Sequence, residues 1–253
     1  MDVLLLIAAA FVAGGINSIA GGGTLLSFPA LLWIGRPPII ANATNTVALW
    51  PGSLAGVFGF RNELRKVQPW LLMLFIPSLL GGGLGAWLLL RTSEKTFVRI
   101  VPLLILGATL LLAAQEMVTR RLGLIARAHD RPTAGWMTFV FTFQFAVGIY
   151  GGYFGAGMGI LMLAALGFIG LTDLHQMNGL KNLLAICING VAAIYFTMTG
   201  SIRWSDALIM ALASILGGYA GARLARRLGR RFVRGAVVVI GLVMTVALFL
   251  KHW

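Results

Sequence analysis

GGINSIAGGGTLLSFP, residues 14–29, interrupts an apolar run with two polar residues, Asn17 and Ser18, and then with three consecutive glycines, Gly21, Gly22 and Gly23. Thr24 and a second apolar run follow. A looser copy, GIYGGYFGAGMGILML, stands at residues 148–163, with Ala156, Gly157, Met158 and Gly159 where the first has Ala20 to Gly23. In an apolar chain such breaks need a reason. Without water to satisfy its amides, irregular backbone persists at membrane depth only against protein or beside a wet cavity. Glycines can also do no more than let helices pack closely. Two breaks at matching places favour the cavity, because Gly-interrupted segments in corresponding positions of two halves point to a transporter's central binding site.

Composition sets the environment. The chain has 253 residues, 59% hydrophobic and 11% charged, with mean hydropathy +0.92. A soluble domain is roughly a quarter charged. Several apolar runs approach the ~20 residues that span a bilayer core, and they lack the alternation of a membrane barrel. The fold class is therefore all-α, a polytopic membrane protein of about 8–10 helices. The net charge of +13 sits in short gaps between the runs, which is the positive-inside signature. It implies a lipid bilayer and no nucleic acid. The apolar start, MDVLLLIAAAFVAGG, lacks the positive n-region of a signal peptide and reads as a retained first helix. Cys187 is the only cysteine; no internal disulfide or cysteine metal cluster follows. It reads as a small buried apolar residue, with a substrate-contacting thiol as the alternative.

The apolar runs are Val3–Ile19, Thr24–Ile34, about Ala41–Phe60, Trp70–Leu90, Val98–Met117, Gly135–Gly155, Met158–Leu171, Leu180–Met198, Ala207–Ala222 and Phe232–Leu250. This divides the chain into a first membrane repeat (1–118), a basic linker (119–134) and a second repeat (135–253). Gly21 and Gly157, Asn42 and Asn178, and Gly82 and Gly218 all stand 136 residues apart. Asn45 matches Asn182 if one residue is inserted. Most tryptophans, among them Trp33, Trp50 and Trp204, fall near run ends and read as interface anchors. If the short segments 24–34 and 158–171 count as crossings, each half has five and the second repeat is inverted. About 14 of the 20 Lys and Arg then share one side, and both termini lie outside the cytoplasm. Without those crossings the charges split almost evenly, so the positive-inside rule favours inversion.

The chemistry is then defined by elimination. No metalloprotease helix, nucleophile elbow or phosphate-binding loop is present. No cofactor or metal is implied. Buried carboxylates for a proton relay or a cation site are lacking: only Glu116 lies within a run. What remains is a set of uncharged donors and one cation. In the first half these are Asn17, Ser18, Thr24, Asn42, Thr44, Asn45 and Thr46, with the amides of Gly21–Gly23; in the second they are Asn178, Lys181, Asn182 and Asn189. A helix start exposes unpaired N–H groups and about half a positive charge, and leading glycines let an anion approach. Two such starts at mid-membrane make an anion site without acids. Lys181 costs about 2.5–3.5 kcal/mol at the membrane centre. It either snorkels to the interface or faces the substrate. The Asn and Thr residues either line the cavity or hydrogen-bond between helices.

IAGGGTLLSFPALLWIGRPPIIANATNTVALWPGSLAG, followed by GIYGGYFGAGMGILML and MNGLKNLLA, resembles the sulfite exporter TauE/SafE family of bacterial membrane transporters. The likeness covers nearly the whole chain. It departs at Met158, which interrupts the second glycine run. The resemblance implies eight to ten helices in two related halves and transport of small sulfur-containing or carboxylate anions. By motif position it maps Gly21, Gly22, Gly23, Pro29, Asn42, Asn45, Gly157, Gly159 and Lys181.

The reading is a secondary transporter, an exporter or permease, in the bacterial inner membrane. Its substrate site comprises Gly21, Gly22, Gly23, Thr24, Asn42, Asn45, Gly157, Gly159, Lys181 and Asn182. The alternative is a non-transporting membrane scaffold or assembly factor. A membrane enzyme acting on lipid is disfavoured by the missing acid–base residues.

Overall fold

The computed structural model describes residues 2–19, 22–59, 73–127, 134–168, 171, 173–228 and 230–252. Ten helices are present among them: α1 (Asp2–Ile19), α2 (Thr24–Trp33), α3 (Pro38–Gly59), α4 (Phe75–Arg91), α5 (Glu94–Arg127), α6 (Ala134–Tyr153), α7 (Met158–Phe168), α8 (Leu174–Met198), α9 (Trp204–Leu228) and α10 (Arg230–His252). The basic gap at Arg61, Arg65 and Lys66, and Asp130, Arg131 and Pro132 of the linker, lie outside the described residues.

Helix ends run past the apolar runs. α5 continues to Arg127, nine residues into the 119–134 segment, and α9 continues to Leu228 through Arg223, Arg226 and Arg227. Arg, Leu and Ala are strong helix formers, so a helix continues after its hydropathy falls. α8 begins at Leu174, before the apolar run, where the exposed Asp173 accepts from the Gln176 amide at 3.4 Å. Asp is a favoured N-terminal cap.

Among the described residues, 94–114 and 176–198 are each long and apolar enough to cross a bilayer alone, while stretches such as 2–17, 24–33 and 158–168 are shorter. The outer surface is apolar as well. Leu80, Leu212, Leu216, Val239 and Val243 are each at least 60% exposed. Water would penalise such a surface, and lipid does not.

The two short helices fold back along their predecessors. Gly23 lies so close to the Ala13 carbonyl that an added Cβ would collide with it, which turns α2 back against α1. Trp136 at the start of α6 donates from Nε1 to the Phe168 carbonyl at the end of α7, at 2.7 Å, so α7 returns along α6. Each half therefore opens with a hairpin whose tip is the glycine break.

The halves pack as copies. α1 lies on α9 and α4 on α6; α3 crosses α9 as α4 crosses α8; α5 meets α7 as α10 meets α2. Several close glycine contacts correspond as well. A methyl at Gly14 would collide with the Ser214 carbonyl, and one at Gly148 would crowd the Ser78 carbonyl at 3.2 Å. A methyl at Gly217 would collide with the Phe11 carbonyl, and one at Gly81 would meet the Phe145 carbonyl at 2.5 Å. In these pairs Ser78 and Ser214 are 136 positions apart, as are Gly81 and Gly217, whereas Gly14 and Gly148 are 134 apart, as are Phe11 and Phe145. The second half thus carries two extra residues between its first helix and its break.

Trp50 is not an interface anchor. Its indole Nε1 donates to the Ile186 carbonyl at 3.1 Å, and its ring packs on Gly190, where α3 crosses α8. Trp33 and Trp204 are 79% and 47% exposed, as anchors would be.

Candidate functional site

The two hairpin tips and the crossing of α3 with α8 enclose a cavity of about 70 Å³. That is room for a few waters or one small polyatomic ion. Its floor and ceiling are the breaks: Asn17, Gly22 and Thr24 from the first, and Phe154, Gly155, Gly157, Met158 and Gly159 from the second. Its sides are two helical stripes, Thr46, Leu49 and Ser53 on α3, and Lys181, Asn182, Ala185 and Asn189 on α8. Residues 46, 49 and 53 follow the spacing of one helix face, as do 182, 185 and 189. Thr46 and Asn182, Leu49 and Ala185, Ser53 and Asn189, and Gly22 and Met158 each stand 136 positions apart. Both halves thus contribute to the cavity wall.

The second break depends on glycine. Gly155 and Gly157 adopt φ of 75° and 73°, a left-handed conformation that costs a residue with a Cβ about 1 kcal/mol or more. These turns let the chain leave α6 and start α7 within four residues. Among the described residues, the Gly157 and Gly159 amides have no hydrogen-bond partner.

The first break is different. Asn17 Oδ1 accepts from the Gly22 amide at 3.1 Å and from the Gly23 amide at 2.8 Å. The two glycine amides that lead into α2 are therefore already taken by a side chain of α1.

Among the described residues that line the cavity, Lys181 is the only basic one and none is acidic. Its side chain is 5% exposed and runs along the start of α7, with Cδ 3.3 Å from where a Gly159 Cβ would stand. Nζ donates to Asn178 Oδ1 at 3.1 Å. It does not extend to the rim of the bundle. The hydroxyls of Thr46 and Ser53 donate to Asn42 and Leu49 carbonyls of their own helix, at 3.0 and 3.3 Å, and can turn toward a ligand.

Of the ten residues expected at the site, Gly22, Thr24, Gly157, Gly159, Lys181 and Asn182 line the cavity. Gly21 lies outside the described residues. Gly23, Asn42 and Asn45 stand behind the wall. Gly23 packs on α1. Asn42 is fully buried and donates from Nδ2 to the Tyr153 carbonyl at 2.8 Å, tying α3 to the end of α6. Asn45 is 1% exposed. By spacing its counterpart is Lys181, and Thr46, not Asn45, matches Asn182 without any insertion. Asn17, Thr46 and Asn189 were read as donors that line the cavity or bond between helices but were not among those ten; they line it, and Ser53 was missed. The 136-residue shift from Asn182 and Asn189 leads directly to Thr46 and Ser53. Cys187 is half-buried on α8 and does not line the cavity.

The sulfite exporter TauE/SafE family profile matches residues 6–248. The chain belongs to the TauE/SafE family. It is similar to a "Probable membrane transporter protein" of Haemophilus influenzae, 30% identical over 252 residues, covering 97% of this chain and 94% of that one. It is 29% identical over 251 residues to "Probable membrane transporter protein ORF9" of Sinorhizobium sp, covering 96% and 90%. It is 28% identical over 255 residues to "Probable membrane transporter protein YfcA" of Escherichia coli K12, covering 96% and 91%. No solved structure matches the chain. As a TauE/SafE member the chain is a multi-pass transporter of the bacterial membrane, and its cavity lies where the two halves meet.

Proposed function

We propose that this TauE/SafE transporter carries a small anion, a sulfur oxyanion, sulfonate or related carboxylate, in the central cavity. The observation that supports this most is Lys181: a buried cation in a wall with no carboxylate. Holding Lys at membrane depth costs about 2.5–3.5 kcal/mol. An anion about 4 Å away contributes about 4 kcal/mol at an effective dielectric of 20, enough to offset that cost. Asn182, Asn189, Thr46 and the amides of Gly157 and Gly159 supply neutral donors around it. The start of α7 adds its dipole. Gly23, Asn42 and Asn45 act from behind the wall by holding the breaks in shape.

The repeats at 1–118 and 135–253 are read as inverted, with the basic gaps on the cytoplasmic side. Rocking of one half against the other would open the cavity to each side in turn.

Binding tests this reading. Purified protein in detergent is titrated with sulfite, sulfoacetate, taurine and acetate, and its melting temperature is followed. A rise with one anion class that Lys181→Ala removes is expected. No rise with any anion, together with full function of the Lys181→Ala variant in cells, would favour the scaffold reading.

A further inference from the structure

The two helix starts at the cavity are built alike but satisfied differently. At α7 the glycine amides have no partner among the described residues. At α2 two successive amides, Gly22 and Gly23, converge on one oxygen, Asn17 Oδ1, at 3.1 and 2.8 Å. Two adjacent backbone amides on one oxygen is the arrangement by which a helix start holds an oxyanion. Asn17 also lines the cavity that Lys181 lines.

We propose that Asn17 is an internal stand-in for an anion. Its amide oxygen occupies the first helix start and confines the transported anion to the second, beside Lys181. It thereby sets how many anions the cavity takes and where. This inference rests on the anion reading above.

The chemistry explains why this acceptor is an amide. An aspartate would hold these two amides as well or better, because a carboxylate is favoured close to a helix start. It would also place a negative charge in a cavity with one cation and cancel the attraction for the anion. Asparagine gives the same oxygen without the charge. A new charge at Asn17 weakens anion binding if the anion sits in this cavity, and Asn17→Ala separates a stand-in from a mere structural tie, because only a stand-in frees donors for the anion when it is removed.

The test compares sulfite binding by calorimetry, with melting curves, for the wild type, Asn17→Asp and Asn17→Ala. Asn17→Asp is expected to melt at or above the wild type and to bind sulfite at least about tenfold more weakly, since a charge within several ångströms shifts binding by that order or more. Asn17→Ala is expected to melt lower, through loss of the two hydrogen bonds that hold the break, yet to bind sulfite at least as tightly, because two amides become available. Wild-type affinity in Asn17→Asp overturns the proposal, and so does loss of binding in a folded Asn17→Ala. A wild type that binds no anion overturns the anion reading itself, which separates the two failures.

Discussion

Arg36 and Asp206, 170 residues apart, form a two-pronged ion pair between the halves: Nε to Oδ2 at 2.7 Å and Nη2 to Oδ1 at 3.2 Å. Arg36 lies in the turn between α2 and α3, and Asp206 in the first turn of α9. Asp206 is 5% exposed. Beside it the Arg203 amide donates to Thr44 Oγ1 at 3.0 Å. The pair thus ties the first half to the second at one end of α3. Removing one partner of a largely buried pair leaves the other charge uncompensated. Asp206→Asn is expected to destabilise the protein by about 1–3 kcal/mol. A double-mutant cycle with Arg36→Ala, read by melting in detergent, should give a coupling energy above about 1 kcal/mol. Additive losses would show that the pair contributes nothing as a pair.

Close helix contact predicts a sharp contrast between two glycines. A Cβ at Gly85 would collide with the Ile149 carbonyl of α6, whereas one at Gly107 meets nothing within 4 Å. Gly85→Ala must push α4 and α6 apart and is expected to cost more than about 3 kcal/mol, of the order seen for severe core disruption. Gly107→Ala gains helix propensity and is expected to be neutral or stabilising by up to about 1 kcal/mol. Thermal denaturation of the two variants side by side checks both.

The buried pair between α4 and α6 behaves as a unit. Gln144 Nε2 donates to Ser78 Oγ at 2.8 Å, and Ser78 Oγ donates to the Leu74 carbonyl at 2.7 Å. Gln144 Oε1 is buried without a partner. Ser78→Ala alone strands the Gln144 amide and is expected to cost about 1–3 kcal/mol. Adding Gln144→Leu removes the stranded group, so the double variant should melt higher than Ser78→Ala. A double variant that melts lower would refute this.

The fold was legible because hydropathy and glycine are strong signals. The break at Gly22 and Gly23 marked a hairpin tip, and the ten apolar runs each met a helix. The two-residue difference between α1 and α6 was not legible, because glycine-rich matches fit several registers equally well. The site was legible in part. Asn42, Thr44, Asn45 and Thr46 lie within five residues of α3, and each step turns by about 100°. They therefore point all round the helix, and polarity alone does not say which side meets the cavity. Thr46 does; Asn42 and Asn45 face protein. Lys181 was equally open from sequence, since a lysine at the start of an apolar run can reach the interface or turn inward. The path of its stem along Gly159 comes from how α7 folds back, a tertiary fact.

The central claim is that Lys181 holds the transported anion. Uptake of radiolabelled sulfite into proteoliposomes, wild type against Lys181→Gln, tests it most directly. The account predicts saturable uptake by the wild type and a fall of at least tenfold for Lys181→Gln at equal protein, since one lost charge contact at this depth is worth more than the 1.4 kcal/mol that a factor of ten represents. Uptake by Lys181→Gln equal to the wild type would contradict it.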